Sequence, residues 1–274
     1  MNEKSTTIVS AQSRPPFIDT KELFYYRELV WAMILRDFKV RYKQTVMGVA
    51  WAILQPLTMI AIFSIIFGKL AKIPSDEYPY PIFVFSGLLA WNFFSSSVNT
   101  AGMSLVSASN LVSKVYFPRI IVPISSIGVS LVDFIISSLL LIGLMLIYSQ
   151  NISSSILYLP LFLAGLITLS IGFGSWLAAV TVTYRDFRYV ITYLLQIGMY
   201  VTPVIYPASL IPEKWQWVLY LNPMYAWING IRACFLGQPI DLISSIPSLL
   251  LTVLIFIFGM SYFNKTQRRF ADVI

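Results

Sequence analysis

The sequence contains no histidine and a single cysteine, Cys234. Imidazole general bases, Cys/His metal sites and intrachain disulfides are therefore excluded. Charged residues make up only 11% of the 274 residues, against ~25% in soluble domains. A phosphate loop is missing as well: Gly68-Lys69 is followed by Leu70 and lacks the preceding glycine of G-x-x-x-x-G-K-[ST]. Any nucleotide machinery is expected on another chain. The first twenty residues, MNEKSTTIVSAQSRPPFIDT, are polar with a Pro-Pro break, so they do not read as a signal peptide.

What the chain has instead is hydrophobicity, 57% of its residues, gathered into runs near the ~20 residues that cross a bilayer. Six spans are expected: Val46 to Phe67, Pro81 to Ala101, Ile120 to Ile147, Ile156 to Val182, Val190 to Ile205 and Ile246 to Phe263. With both termini inside, fifteen Lys/Arg lie on the inner side and four outside, Lys69, Lys72, Lys214 and Arg232, which satisfies the positive-inside rule. The chain reads as an all-α integral membrane protein. Residues 1–45 form a tail and an amphipathic helix, and 46–274 a single six-helix membrane domain without an internal repeat.

In the amphipathic segment Arg36, Lys39 and Lys43 run beside a row of Leu35, Phe38 and Tyr42. That pattern suits a helix lying in the membrane interface, or a basic stop signal that only fixes orientation. The connection from Tyr206 to Ser245 is long and aromatic, yet Asn222-Pro223 and Asn229-Gly230 should cut it into pieces too short to cross. Two short re-entrant helices on the outer side are expected, with a seventh span as the alternative.

Polar and aromatic side chains fall on stripes. Asn92, Ser96, Asn99 and Met103 share a face of the second span, Gln55 and Thr58 join Trp51 on the first, and Tyr193, Gln196 and Tyr200 line the fifth. Such faces, with Trp91 beside them, could line a pathway for an uncharged polyhydroxylated solute, since amides bond hydroxyls and rings cover the apolar side of sugars. They could equally be interhelical hydrogen-bonding surfaces. Asp133, on a stripe with Ser126, Ser130 and Ser137, is the one acid well inside a span. It reads either as an ion or proton site or as a structural carboxylate bonded by those serines, with no basic residue at its depth to pair with. Ser170, Gly174 and Ala178 make a small-xxx-small packing row.

Two cytoplasmic loops look like docking elements, Ser109 to Arg119 and Thr183 to Val190. Together with RDFKVRYKQTVMGVAWAILQP (Arg36 to Pro56), YPYPIFVFSGLLAWNFF, NLVSKVYFPRIIVP, YRDFRYVITYLLQIGMYVTPVIYP (Tyr184 to Pro207) and LNPMY, they give the chain its resemblance to the membrane subunit of ABC-2 type bacterial polysaccharide exporters. The resemblance runs from about Leu29 to the C-terminal FADVI. It implies a homodimeric permease in the bacterial inner membrane, with no catalytic site, cofactor or metal of its own. Two ATPase subunits would bind ATP and Mg, and a glycan on undecaprenyl diphosphate, such as O-antigen, capsule or teichoic acid, would thread a tunnel at the dimer interface. By the same resemblance Trp51, Gln55, Trp91, Asn92, Ser96, Asn99, Tyr193, Gln196 and Tyr200 line that tunnel. Lys114, Val115, Tyr116, Phe117 and Arg119 would seat in the ATPase, with Arg185 and Asp186 as a second contact. Trp215, Trp217, Asn222, Pro223, Tyr225 and Trp227 would form the outer gate. Competing readings are an ion-coupled transporter using Asp133, an ABC-2 exporter of a lipid or drug, and an intramembrane enzyme on polyprenyl-phosphate sugars; the last lacks the paired acids or basic cluster it would need.

Overall fold

The computed structural model describes residues 24–43 and 50–270. Among them every regular element is helical: α1 Arg27–Lys43, α2 Ala50–Phe63 continuing as a wider π-helical stretch over Ser64–Leu70, α3 Tyr80–Ser107, α4 Ser109–Lys114, α5 Ile121–Ile147, α6 Leu159–Thr183, α7 Phe187–Val201, α8 Glu213–Tyr220, α9 Tyr225–Leu236 and α10 Leu242–Thr266. Five stretches are long and apolar enough to cross a bilayer: Ala50–Leu70, Tyr80–Ser107, Ile121–Ile147, Ser154–Thr183 and Ile243–Arg269. The fifth expected span, Val190 to Ile205, is the 15-residue α7. At ~1.5 Å per residue it reaches ~22 Å, less than a ~30 Å hydrocarbon core. It stops at Val201 because Thr202, held extended at φ −87° and ψ 143°, precedes Pro203, and the proline ring disfavours helical geometry in the residue before it.

α3 is the hub. In its most apolar 18-residue stretch 78% of residues are buried, against 17–28% in the other four candidate spans. α5 and α6 flank it, α10 packs on the far side of α6, and α9 wedges against α3 and α6. Lipid is as apolar as leucine, so helices in a bilayer gain from close backbone approach rather than from burial. Small residues supply that approach. A Cβ on Gly259 of α10 would lie 2.0 Å from the Gly172 carbonyl oxygen of α6, and one on Gly174 would lie 2.6 Å from the Ala101 Cβ of α3. Ser170, Gly174 and Ala178, the expected packing row, are all buried.

α1 runs alongside the first half of α5. Ser125 Oγ is 3.9 Å from Met33 Sδ, Ile34 covers Gly128, and farther along the Arg41 guanidinium lies 2.9 Å from the Asp133 carboxylate. The Tyr42 hydroxyl donates to the other oxygen of that carboxylate. Burial, reinforced by Asp133, pushes the Tyr42 phenol's pKa up and keeps it a donor. This corrects the expectation that Asp133 has no basic partner: the partner comes from a helix outside the spans. Of the serines expected to bond Asp133, Ser126 donates to Pro123 O and Ser130 to Ser96.

The connection between α7 and α10 holds α8 and α9, separated at Asn222-Pro223 as expected. The expected break at Asn229-Gly230 does not occur. α9 runs through it, because Gly230 serves as a seat: the Phe162 ring occupies the space where a Cβ would sit, 2.0 Å away. In return Trp227 lies over Gly165, and its indole N–H donates to Thr252 Oγ1 at 2.9 Å. α9 ends at Gly237, whose left-handed φ of +73° suits a residue without Cβ. Arg232 also departs from expectation. Counted above as an outside loop charge, it is 2% exposed inside the protein, its guanidinium 4.0 Å from the Phe83 ring centroid and donating to Val204 O at 2.9 Å.

Candidate functional site

α7 is a 15-residue helix with one buried residue, Ile191. Ile191 reaches Gly102 of α3, and Gly198 lies against the Trp91 ring, where a Cβ would be 2.8 Å away. These contacts fix one side of α7. The opposite side carries Tyr193, Gln196 and Tyr200, all exposed. Tyr189 extends that row by four residues, held by a 2.7 Å bond from Arg188 to its hydroxyl. The same i, i+4 spacing could have revealed Tyr189 in the sequence; its place in a loop expected to be cytoplasmic hid it.

The exposed strip on α3 adjoins this row. Trp91 and Gly102 face α7, whereas Phe93 and Ser96 face α5, through the Phe134 ring at 5.7 Å and the Ser130 hydroxyl at 3.1 Å. Helical spacing puts Asn92 and Asn99 in the sector between them, and both are exposed. On α2, Trp51, Gln55 and Thr58 are exposed too, Thr58 donating to Leu54 O of its own helix. Two expected residues fall elsewhere. Trp91 is buried under α7, and Ser96 is half-buried in the α3–α5 seam.

The result is a surface of hydroxyl, amide and aromatic groups that is uncharged between Tyr193 and Tyr200, with the Arg188 guanidinium beyond its Tyr189 end. It can stack on and hydrogen-bond a polyhydroxylated chain without holding it by charge. Among the described residues no cluster of three or more His, Cys, Asp or Glu could hold a metal ion.

At the turn after α4, Lys114, Val115 and Tyr116 are exposed, whereas Phe117 is buried in the core shared by α3, α5 and α10. The Arg119 guanidinium donates to the Gln267 carbonyl, which ties this turn to the end of α10. Arg185 and Asp186 are exposed in the turn before α7. In the segment between α7 and α10 Trp215 and Trp217 are exposed on α8, but Tyr225 and Trp227 are buried. Asn222 bonds Thr202 Oγ1 at 2.8 Å and caps the Met224 N–H at 2.9 Å, and Pro223 beside it is half-buried.

Residues 28–236 match the ABC-2 type transporter family. The chain is 28% identical over 257 residues to the O-antigen export system permease protein RfbA of Klebsiella pneumoniae, covering 92% of this chain and 97% of that one. It is 28% identical over 262 residues to the protein of the same name from Myxococcus xanthus, covering 93% and 98%. Over 202 residues it is 28% identical to the polysialic acid transport protein KpsM of Escherichia coli, covering 71% and 76%. The apolar helices and the family match agree, and the chain is a multi-pass membrane protein of the ABC-2 type transporter family.

Proposed function

We propose that the chain is the permease subunit of an ATP-driven exporter that moves a lipid-linked polysaccharide of the O-antigen class out of the cytoplasm across the bacterial inner membrane. The observation that carries the reading is the polar and aromatic face of α3 and α7, uncharged from Asn92 to Asn99 and from Tyr193 to Tyr200 and left open on a single chain. The names of the relatives supply the class of cargo. In this reading two copies bring their open faces together around a glycan tunnel, with α7 as a short fifth span, α1 along the inner leaflet and α8–α9 re-entering from outside. Both termini are cytoplasmic. Once Arg232 is removed from the loop charges, fifteen Lys/Arg stand inside and three outside. Two copies of a separate ATPase bind ATP and Mg and grip the exposed Val115–Tyr116 turn and the Arg185–Asp186 turn.

The test is reconstitution of the chain with its ATPase in proteoliposomes holding an undecaprenyl-diphosphate-linked glycan. Glycan should appear on the far side only with ATP and with an ATPase whose phosphate-loop lysine is intact. Export that persists with the lysine-substituted ATPase, or that follows an imposed proton gradient instead, would refute it. The ion-coupled alternative loses its support because Asp133 is already paired with Arg41.

A further inference from the structure

The two ends of α7 are held differently. α7 itself buries one residue, Ile191, but the turn that follows is buried from Thr202 to Ile205. A helix leaves its last carbonyls without partners of its own, and here side chains supply them at the end of α7 and just beyond it. Nη2 of Arg232 on α9 donates to Pro203 O at 3.2 Å and to Val204 O at 2.9 Å. The Tyr80 hydroxyl at the start of α3 donates to Ile205 O at 2.8 Å, and the Tyr206 hydroxyl reaches back to Val201 O at 3.0 Å. The Asn222 amide adds its bond to the Thr202 hydroxyl.

Arg232 is the centre of this anchorage. It lies where α3 leaves room at Gly87, since a Cβ there would be 2.6 Å from Arg232 Nη2 and 2.7 Å from Val204 O. The Phe83 ring, its centroid 4.0 Å from the guanidinium carbon, offsets part of the cost of burying the charge. That cost is large for a side chain whose only task is packing, because an apolar residue of similar volume is often as stable or more so. What a guanidinium adds is direction. Hydrogen bonds fix angle as well as distance, whereas apolar contacts are non-directional and can slide. Toward its other end α7 has only contacts of the second kind. Gly198 rests on the Trp91 ring and Ile191 reaches Gly102, and beyond them Tyr184, Arg185 and Asp186 are exposed.

We propose that Arg232 is a positioning residue for transport that pins the Thr202 end of α7 to α3 and α9, so that α7 pivots there when its opposite end is moved. The motion rests on the reading above, in which the ATPase grips the Arg185–Asp186 turn; the pin stands on the hydrogen bonds. At ~1.5 Å per residue, a ~10° swing about Thr202 moves Val190 by ~3 Å and Val201 by less than ~1 Å. The open face then widens as a wedge, most at Tyr189 and least at Tyr200. A glycan is admitted at the ATPase end while the far end stays narrow.

The test is pulsed electron paramagnetic resonance on the complex with its ATPase in nanodiscs, in a Cys234→Ala background, with the labelled chain diluted into unlabelled copies. Exposed Leu139 on α5 takes the reference label, and either Val190 or Val201, both exposed and three turns apart on one side of α7, takes the second. A non-hydrolysable ATP analogue should shift the Leu139–Val190 distance by ~3 Å and the Leu139–Val201 distance by less than ~1 Å. Arg232→Met keeps the volume and removes the bonds. Without nucleotide it should broaden the Val201 distribution, as should Gly87→Ala, which pries at the same contact from α3. Met260→Ala, which empties a buried site in the core shared by α1 and α10, should leave that distribution narrow. ATP spent per glycan exported should rise in Arg232→Met and not in Met260→Ala. Equal shifts at Val190 and Val201, no shift at Val190, or a Val201 distribution unchanged by both pin variants would each overturn the proposal. If neither variant folds, the two distances in the unaltered protein decide. Export by the unaltered protein is scored separately: ATP-driven export with both ends moving together removes the pivot alone. Failure of ATP-driven export removes the transport reading, and the pin is then judged by the widths measured without nucleotide.

Discussion

The Arg41 guanidinium and the Asp133 carboxylate lie 2.9 Å apart, joining the end of α1 to a point well inside α5. The pair is neither fully wet nor fully buried, with side chains 42% and 24% exposed. Its strength therefore falls between a surface bridge and a core one. What it fixes is direction: with Met33 on Ser125 and Ile34 on Gly128 as anchors farther back, α1 is held at separate points along α5 and has little freedom to swing.

Replacing Asp133 with Ala should destabilise the protein by about 1–2 kcal/mol, because the half-exposed Arg41 and the buried Tyr42 hydroxyl then lose their shared acceptor. Arg41→Ala should cost a similar amount. The double variant should cost less than the sum, which thermal unfolding in detergent can measure as a cycle. Asp133→Asn still accepts from Tyr42 and should retain export. Additive losses would mean that the two residues do not act as a pair.

The α6–α10 crossing makes a harsher prediction. Gly259→Ala would set a methyl group 2.0 Å from the Gly172 carbonyl oxygen, and backbone cannot step aside as a side chain can. Overpacking of this kind costs ~1–3 kcal/mol or more. Folded yield by size-exclusion chromatography should drop sharply, whereas Gly143→Ala, which meets nothing within 4 Å, should leave it unchanged.

Element type was legible because hydropathy runs and helix-breaking pairs are local. The five long spans and the break at Asn222-Pro223 come from residues adjacent in sequence. Asn229-Gly230 misled for a physical reason: glycine reads as a breaker, but here its missing Cβ makes room for Phe162, which lies 68 residues earlier in the chain. Arg232 misled similarly, since a lone charge in a connection between spans gives no sign that Phe83 and the Val204 carbonyl will enclose it. The amphipathic stripe on α7 was legible from its period; that Trp91 would lie beneath it was not.

The turn after α4 separates two neighbouring aromatics that the sequence cannot tell apart. Tyr116 is 67% exposed and Phe117 6%. Tyr116→Ala should lower the melting temperature less than Phe117→Ala does while weakening copurification with the ATPase, by ~2 kcal/mol if it is an interface hot spot. Phe117→Ala should instead lower stability by ~3–5 kcal/mol. Undiminished copurification of the Tyr116→Ala protein would show that Tyr116 is no docking residue.

The open face can be mapped by thiol chemistry, because the sole native cysteine, Cys234, is buried and can be changed to Ala. Single cysteines at Asn92, Tyr193, Gln196 and Tyr200 should react with a small water-soluble maleimide, and one at Trp91 should not, since α7 covers it. In the assembled exporter the first four should stay reactive, because a hydrated tunnel admits the reagent whereas a dry helix interface would not. A stalled glycan should then suppress labelling at these positions by contact, and ATP-driven release of the chain should restore it. If Tyr193 and Gln196 become unreactive on assembly whether or not glycan is present, the face is a packed subunit interface, and the path of the glycan must lie elsewhere.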